Sequence, residues 1–320
     1  MRSRPIGGTG LRVSELGYGA APLGNLYAAV TDDQAEAAVH AAWDAGIRLF
    51  DTAPHYGLGL SERRLGAALR SYPREEYVVS TKVGRLLEPN PSPTGADADL
   101  FVVTDDLTRR WDFTRDGILR SIDDSLERLG LDRIDILYLH DPDLSGDPDA
   151  ARRGADVLID ARSRGLARAV GIGSNDASTI ADLFRTADID LAMVAGRISL
   201  LGRRGLDDVV EAAGGRALVV AGAFNSGILA SRRPREDDTY DYARAPADVL
   251  ERANRIADIV ERHGSALPDA AIAFPLREPG VASVVLGMRS ADEVVENVQR
   301  YDRAPSEDTW ADLRSEGLLP

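Results

Sequence analysis

Arg48-Leu49-Phe50-Asp51-Thr52-Ala53-Pro54-His55-Tyr56-Gly57 closes a short apolar run with an acid and offers a tyrosine five residues later. Two further runs repeat the pattern: Tyr77-Val78-Val79-Ser80-Thr81 leads into Lys82, and Ile134 to Leu139 leads into His140. A strand that only fills a core needs no ionisable residue at its end, so three such runs deliver polar groups to one rim. Each residue alone has a bland reading, because Asp-Thr pairs make turns and caps, tyrosines pack half-buried and lysines after strands are solvated. Their meaning depends on an architecture that gathers the carboxyl ends of consecutive strands, and a closed parallel barrel does so.

The rest of the chain has that rhythm. Short β-rich runs occur at Glu15 to Gly19, Arg48 to Phe50, Tyr77 to Thr81, Ile134 to Leu139, Ala169 to Gly173, Leu191 to Ala195, Ala217 to Ala221 and Ala282 to Leu286. Amphipathic helical patterns lie between and after them, at Asp33 to Ala45, Ser61 to Arg70, Thr114 to Leu129, Ala247 to Arg262 and Ser290 to Arg300. Thr31-Asp32 supplies the first helix with an N-cap. The near-continuous apolar character of the strands is that of strands covered on both faces. Eight such units predict an α/β fold, a single (β/α)8 barrel spanning residues 1–320. Arg4 to Ile6 and Leu11 to Val13 flank Gly7-Gly8-Thr9-Gly10 and predict a β-hairpin over the barrel floor.

Two stretches break the alternation. Arg85 to Asp112, rich in Pro, Gly and Asp, follows the strand that leads to Lys82 and reads as a long loop over the polar rim. Ser231 to Pro246 is charged and aromatic, with Arg232, Arg233, Arg235, Tyr240 and Tyr242, and lies between the seventh strand and its helix, where it could clamp a cofactor.

Composition excludes several function classes. With 44% hydrophobic residues in 320, the chain fills a large core. A formal charge of -14 opposes nucleic acid and anionic lipid as partners. Cysteine is absent, which removes disulfides, thiolate metal sites and a cysteine nucleophile and fits a reducing interior. Met1-Arg2-Ser3-Arg4-Pro5 leads into glycines rather than an apolar leader, and no stretch reaches the span of a membrane helix. The expectation is a cytoplasmic enzyme of small molecules, a monomer or weak homo-oligomer. His55 and His140 invite a metal reading, but only four histidines occur and no HxxxH or carboxylate-rich pairing accompanies them, so no metal is expected.

The rim residues suit proton transfer. A phenol titrates near 10, so Tyr56 needs a nearby cation to favour phenolate, and the cation needs a carboxylate to hold it. Lys82 and Asp51 are the right types. His140 then hydrogen-bonds the substrate oxygen and orients it. Tyr27, His55 and Trp111 are the candidate substrate contacts, the two aromatics as a wall.

Asp51, Tyr56, Lys82 and His140, in this order and at these separations, resemble the catalytic tetrad of the aldo-keto reductase superfamily, and the resemblance covers essentially the whole chain. It implies hydride transfer to or from NAD or NADP, although no Gly-x-Gly-x-x-Gly turn is present and Gly17-Tyr18-Gly19 is too weak a substitute. By resemblance, Ser174 and Asn175 hold the carboxamide. Phe224, Asn225, Ser226, Gly227 and Leu229 stack on the nicotinamide and wrap the pyrophosphate. Gly287, Arg289, Ser290, Glu293, Glu296 and Asn297 form the adenosine site, with the Glu296-Asn297 pair on adenine. Where the family commonly places a Gln and a Tyr near the sixth strand, this chain has Ala195 and Ile198. Where many NADP-dependent members carry an arginine, it has Glu293, which favours NAD, while Arg289 pulls the other way.

Leu23-Gly24-Asn25-Leu26, Tyr56 to Arg63, Lys82 to Leu87, Ala195-Gly196-Arg197 and Phe224 to Gly227 are similar to the aldose 1-dehydrogenase branch, which includes L-fucose (D-threo-aldose), L-galactose and pyridoxal 4-dehydrogenases. The implied reaction is oxidation of the anomeric hydroxyl of a neutral aldose to a lactone. The alternatives are oxidation of the pyridoxal hemiacetal, and a nicotinamide-binding redox sensor or regulatory subunit without turnover.

Overall fold

The computed structural model describes residues 1–203, 205–241 and 243–319. Eight parallel strands close on themselves: β1 (Leu16–Gly19), β2 (Leu49–Asp51), β3 (Val78–Val83), β4 (Ile136–His140), β5 (Ala169–Ser174), β6 (Leu191–Ala195), β7 (Ala217–Ala221) and β8 (Val281–Gly287). Each pairs with its neighbours in chain order, and β8 returns to β1 with Gly287 opposite Gly19. Ten α-helices are described: α1 (Asp32–Asp44), α2 (Leu60–Leu69), α3 (Arg115–Leu129), α4 (Ala150–Ser163), α5 (Ala177–Thr186), α6 (Leu206–Ala213), α7 (Ala247–Arg262), α8 (Leu267–Ala273), α9 (Ala291–Asp302) and α10 (Glu307–Ser315). The eight-stranded barrel is the expected fold. Thr31 caps α1 reciprocally with Gln34, each side chain accepting from the other's backbone N–H.

Side-chain alternation divides the apolar residues into two layers. Leu49, Val78, Ile136, Tyr138, Ala169, Leu191, Met193 and Val219 face the barrel lumen, and Ile6, Leu11 and Val13 join them from below. These three come from a hairpin pairing Ser3–Pro5 with Arg12–Ser14, and each is at most 1% exposed. Burial of such side chains stabilises by about 1.5–3 kcal/mol each. Phe50, Val79, Leu137, Leu139 and Val170 point outward into the larger layer beneath the helices.

The same parity positions the polar rim. Asp51 follows inward Leu49 by two, Lys82 follows Val78 by four and His140 follows Ile136 by four. The ladders extend slightly beyond the expected strand ends, so Asp51 and His140 close their strands and Lys82 stands one residue before the end of its own. The reason is that backbone pairing continues through a residue whatever its side chain, and each charge simply takes the next inward place.

The stretch from Arg85 to Asp112 is not an open loop. Arg85–Pro89 and Leu107–Trp111 form a five-pair antiparallel hairpin. Its tip folds back so that Phe101 bridges Leu26 and Tyr27 donates to the Leu100 carbonyl. The polar composition that suggested a loop supplies ion pairs, with Arg109 gripping Asp97 through two bonds. Residues 231–246 likewise carry a short ladder, Thr239–Tyr240 with Ala243–Arg244, while Tyr242 lies outside the described residues. No described helix is long and apolar enough to cross a membrane.

Candidate active site

At the carboxyl end of the barrel, the Lys82 Nζ donates to Asp51 Oδ2 at 2.6 Å, to the Thr52 carbonyl at 3.0 Å and to the Tyr56 hydroxyl at 3.0 Å. Three donors meet three acceptors, which satisfies the ammonium completely. Ser80 Oγ donates to the other Asp51 oxygen at 2.7 Å. The ring of His140 stands perpendicular to that of Tyr56, with centroids 5.9 Å apart. All four expected rim residues therefore converge.

Tyr56 is held by its backbone. After it the chain passes through Gly57, Leu58 and Gly59, all with positive φ, and the peptide lies so close to Gly24 that a Cβ on Gly57 would sit 2.2 Å from the Gly24 carbonyl oxygen. No other residue fits there. Ser61 Oγ donates to the Ala20 carbonyl, and Glu62, fully buried, pairs with Arg128 at 2.6 Å and accepts from Thr81. Ser61 and Glu62 are thus fasteners that hold the Tyr56 turn against the barrel wall.

Burial and charge oppose one another here. Burial raises the Asp51 carboxyl, and the Lys82 ammonium pulls against it. Burial works against the charge of Lys82, but Asp51 and Tyr56 outweigh it and raise the ammonium above its ordinary value. For Tyr56 the expectation of a cation-favoured phenolate needs correction, because burial raises the phenol by more than Lys82 lowers it, and Asp51 adds to the rise. The resting phenol is protonated. Both imidazoles are pushed down, first by burial and then by the arginines and Lys82, to about 2 for His55 and well below the ordinary value for His140, so both are neutral.

A cleft of about 520 Å³ opens over this cluster, lined by His55, Tyr56, Lys82 and His140 on one side and by Gly173, Asn175 and Arg197 on another. The candidate substrate residues divide. His55 lines the cleft. Trp111 does not, being stacked on Phe113 with the Arg85 guanidinium 4.2 Å over its ring. Tyr27 is 54% exposed at the edge of the hairpin. Phe101, a buried residue, backs the cleft rather than lining it, sitting edge-on to His55 at 5.3 Å and 6.1 Å from Tyr56. Its place in the middle of a polar stretch was the signal that could have found it. Arg85, Arg109 and Asp141 also went unnoticed, because their roles arise only when the hairpin folds over the rim: Arg85 pairs with Asp141 at 2.5 Å, and Arg109 donates to the His55 carbonyl at 2.9 Å. Among the described residues, no group of three or more histidines and acids is disposed to hold a metal.

The remaining candidates trace a path from the cleft across the mouth. Asn175, half-buried just after β5, makes no side-chain bond to another described residue, whereas Ser174 donates to Asp143 and accepts from the Asp176 N–H. A Cβ at Gly173 would project toward Lys82 Cε at 3.8 Å, so glycine leaves a flat floor beside the tetrad. After β7, Asn225, Ser226 and Gly227 all have positive φ, and Asn225 Oδ1 is buried with no partner among the described residues. Leu229 is fully buried. Phe224 is half-buried, with its ring 5.8 Å from the Arg300 guanidinium, and it is not among the residues lining the cleft. Beyond Gly287, Ser290 caps α9 by accepting from the Glu293 N–H, and Glu293 holds Arg289 through its side chain at 3.1 Å and its backbone N–H at 2.9 Å. Arg300 donates to both Glu296 and Asn297. An orphaned amide oxygen, an unpartnered Asn175, a Cβ-free floor and a turn of left-handed residues fit an extended dinucleotide ending at the tetrad.

The aldo/keto reductase family profile matches residues 15–316. The chain is 49% identical over 317 residues to a D-threo-aldose 1-dehydrogenase of a Pseudomonas species, covering 97% of this chain and 96% of that one. It is 41% identical to a pyridoxal 4-dehydrogenase of Microbacterium luteolum over 338 residues, covering 99% and 97%. Among solved structures, an aldo-keto reductase of Bacillus halodurans in its holo form superposes with a TM-score of 0.77 at 25% identity, covering 100% of this chain and 97% of that one.

Proposed function

The chain belongs to the aldo/keto reductase family and is a nicotinamide-dependent oxidoreductase, and we propose that it oxidises the anomeric hydroxyl of a neutral cyclic aldose to a lactone with NAD. The observation that carries the reading is Lys82 Nζ held between Asp51 at 2.6 Å and the Tyr56 hydroxyl at 3.0 Å. A bound nicotinamide supplies the hydride acceptor. Tyr56 takes the hydroxyl proton, Lys82 stabilises the phenolate that must form first, and Asp51 with Ser80 fixes the lysine. His140, neutral, donates to the reacting oxygen. Because burial keeps the phenol protonated at rest, oxidative turnover climbs as the medium becomes alkaline.

The neutral substrate class is supported by the cations in and beside the cleft, which are already matched: Lys82 by Asp51, Arg85 by Asp141 and Arg197 by Asp241. A phosphate or carboxylate would have to break one of these pairs. The preference for NAD rests on Glu293, which neutralises Arg289 where a 2′-phosphate would need it. Pyridoxal is the second reading, favoured by the 41% identical relative and by the cleft-lining ring of His55, backed edge-on by Phe101, against which a flat ring would pack.

The test is nicotinamide reduction with L-fucose, D-arabinose, L-galactose, pyridoxal and a phosphorylated aldose, each with NAD+ and NADP+. A free aldose turned over most efficiently with NAD+, giving a lactone that opens without enzyme, is the expected result, and Tyr56→Phe should abolish it. Pyridoxal as the only efficient substrate, or a phosphorylated sugar preferred to its free form, overturns the assignment.

A further inference from the structure

Arg85 Nη1 lies 3.3 Å from His55 Nδ1, and its Nη2 donates to Asp141 Oδ2 at 2.5 Å. A guanidinium has donors and no acceptor. In that contact His55 Nδ1 must therefore be the acceptor, which leaves the ring proton on Nε2; the Asp99 carboxylate also faces Nδ1 but at 3.8 Å, beyond hydrogen-bond reach, and is taken by Arg109 at 2.9 Å. Burial beside Arg85, Arg109 and Lys82 keeps the ring neutral, so it carries only that one proton. The ring is confined on its other sides, with Phe101 edge-on at 5.3 Å and His140 edge-on at 5.5 Å, and Arg109 holds its backbone carbonyl at 2.9 Å. No protein acceptor engages His55 Nε2 among the described residues, and the residue lines the cleft beside Tyr56, Lys82 and His140.

We infer that Arg85 is a positioning residue that locks His55 in its Nε2–H tautomer, making His55 a specificity-determining donor for a second oxygen of the substrate, a hydroxyl or ring oxygen next to the reacting carbon. This inference rests on the aldose oxidation proposed above. Asp141 completes the device by holding the arginine from the far side, in a left-handed backbone conformation (φ 43) reached directly after His140. The Arg85 side chain is in turn seated over Trp111, which gives that tryptophan an indirect part in substrate choice. The site thus asks for an oxygen acceptor at two places: His140 at the reacting oxygen, His55 beside it. A substrate with one oxygen in reach satisfies only the first, and leaving a buried donor unmatched costs about 1–3 kcal/mol, or roughly 5–150-fold in binding.

The tautomer is directly observable. In 15N-labelled protein, long-range proton–nitrogen spectra distinguish Nε2–H from Nδ1–H imidazole, and the chain's four histidines can be assigned by single substitutions. The wild type should show His55 as Nε2–H alone, and Arg85→Met should convert it to a mixture or to Nδ1–H. Kinetically, His55→Phe should raise the KM of the preferred aldose at least fivefold with little change in the KM of the cofactor. His55→Gln, whose amide nitrogen can stand near the Nε2 position, should recover most of that loss. A panel of singly deoxygenated aldoses should contain one member that His55→Phe handles no worse than wild type does. If Arg85→Met fails to fold, the Phe and Gln variants at His55 carry the test. An Nδ1–H ring in the wild type, or equal KM values for Phe and Gln, overturns the inference. Wild-type protein that oxidises no aldose overturns the proposed function instead, and the spectra still decide the tautomer.

Discussion

Replacing Lys82 by Met probes the site most sharply, since one ammonium serves both the tyrosine and the aspartate. A cation 3.0 Å from the phenolate oxygen favours ionisation by about 5 kcal/mol at an effective dielectric near 20, equivalent to about four on the pH scale. The ascending limb of the oxidative pH profile should therefore move beyond the accessible range. At pH 9, kcat/KM should fall by about 10³–10⁴, within the span that general acid–base catalysis commonly supplies. Asp51→Asn should act in the opposite sense on the limb, because the carboxylate raises Tyr56 and its removal lets the limb move toward acid. The Met variant has a thermodynamic signature as well. Asp51 loses its cation while remaining buried, so its folded pKa stands further above its unfolded value; stability is then greatest below the unfolded value and falls as pH rises toward the folded one. The assay is kcat/KM between pH 7 and 11 for both variants beside wild type, with thermal melts over the acid range. A Lys82→Met enzyme that keeps more than a tenth of wild-type kcat/KM, or whose ascending limb stays in place, refutes the electrostatic account.

Glu293→Gln frees Arg289 and should narrow the NAD+ over NADP+ preference by about fivefold, a small effect because both side chains are well exposed; an unchanged ratio of kcat/KM values would remove Glu293 from cofactor choice. His55 and His140 are buried neutral, so their stabilising share is intact above the unfolded value near 6.5 and declines as pH falls, by about 1.4 kcal/mol per pH for each ring. His140→Asn should melt with a visibly shallower acid dependence between pH 6.5 and 5, and parallel curves would contradict the assignment. Arg128→Met strands the fully buried Glu62 carboxylate behind the barrel wall and should cost about 3–5 kcal/mol in urea unfolding, with kcat per folded molecule unchanged.

The barrel and its four rim residues were legible in the chain because both follow from periodicity. A strand buried on two faces must be apolar, so a charge at its end stands out, and inward parity decides that Asp51, Lys82 and His140 share one lumen. Gly57 was legible as part of a motif, but its need became visible only against Gly24, a contact between backbones far apart in sequence. The hairpin from Arg85 to Trp111 was not legible, since its stability comes from charge pairs rather than alternating apolar residues, and an Arg-rich, Asp-rich stretch looks the same whether the charges are solvated or matched. The contact of Phe224 with Arg300 was hidden for a similar reason, since the cation lies on a helix about seventy residues later.

These differences separate chemistry from choice of substrate. The proton-transfer groups sit on, or immediately after, strands whose inward positions are dictated by barrel closure, and any slip by one residue would turn them into the helix layer. On the proposed reading, the group that faces the substrate beside them, the Arg85-locked His55 backed by Phe101, depends on one hairpin fastened by Arg109 to Asp97 and by Arg85 to Asp141. That hairpin can change its tip without disturbing the ladder of β3, because its two strands pair only with each other. Relatives that share the barrel over nearly their whole length and yet are named for an aldose and for pyridoxal are what such a division permits. On the proposed reading, the rigid barrel sets what is done to the bound hydroxyl, and the ion-paired hairpin sets which molecule presents it.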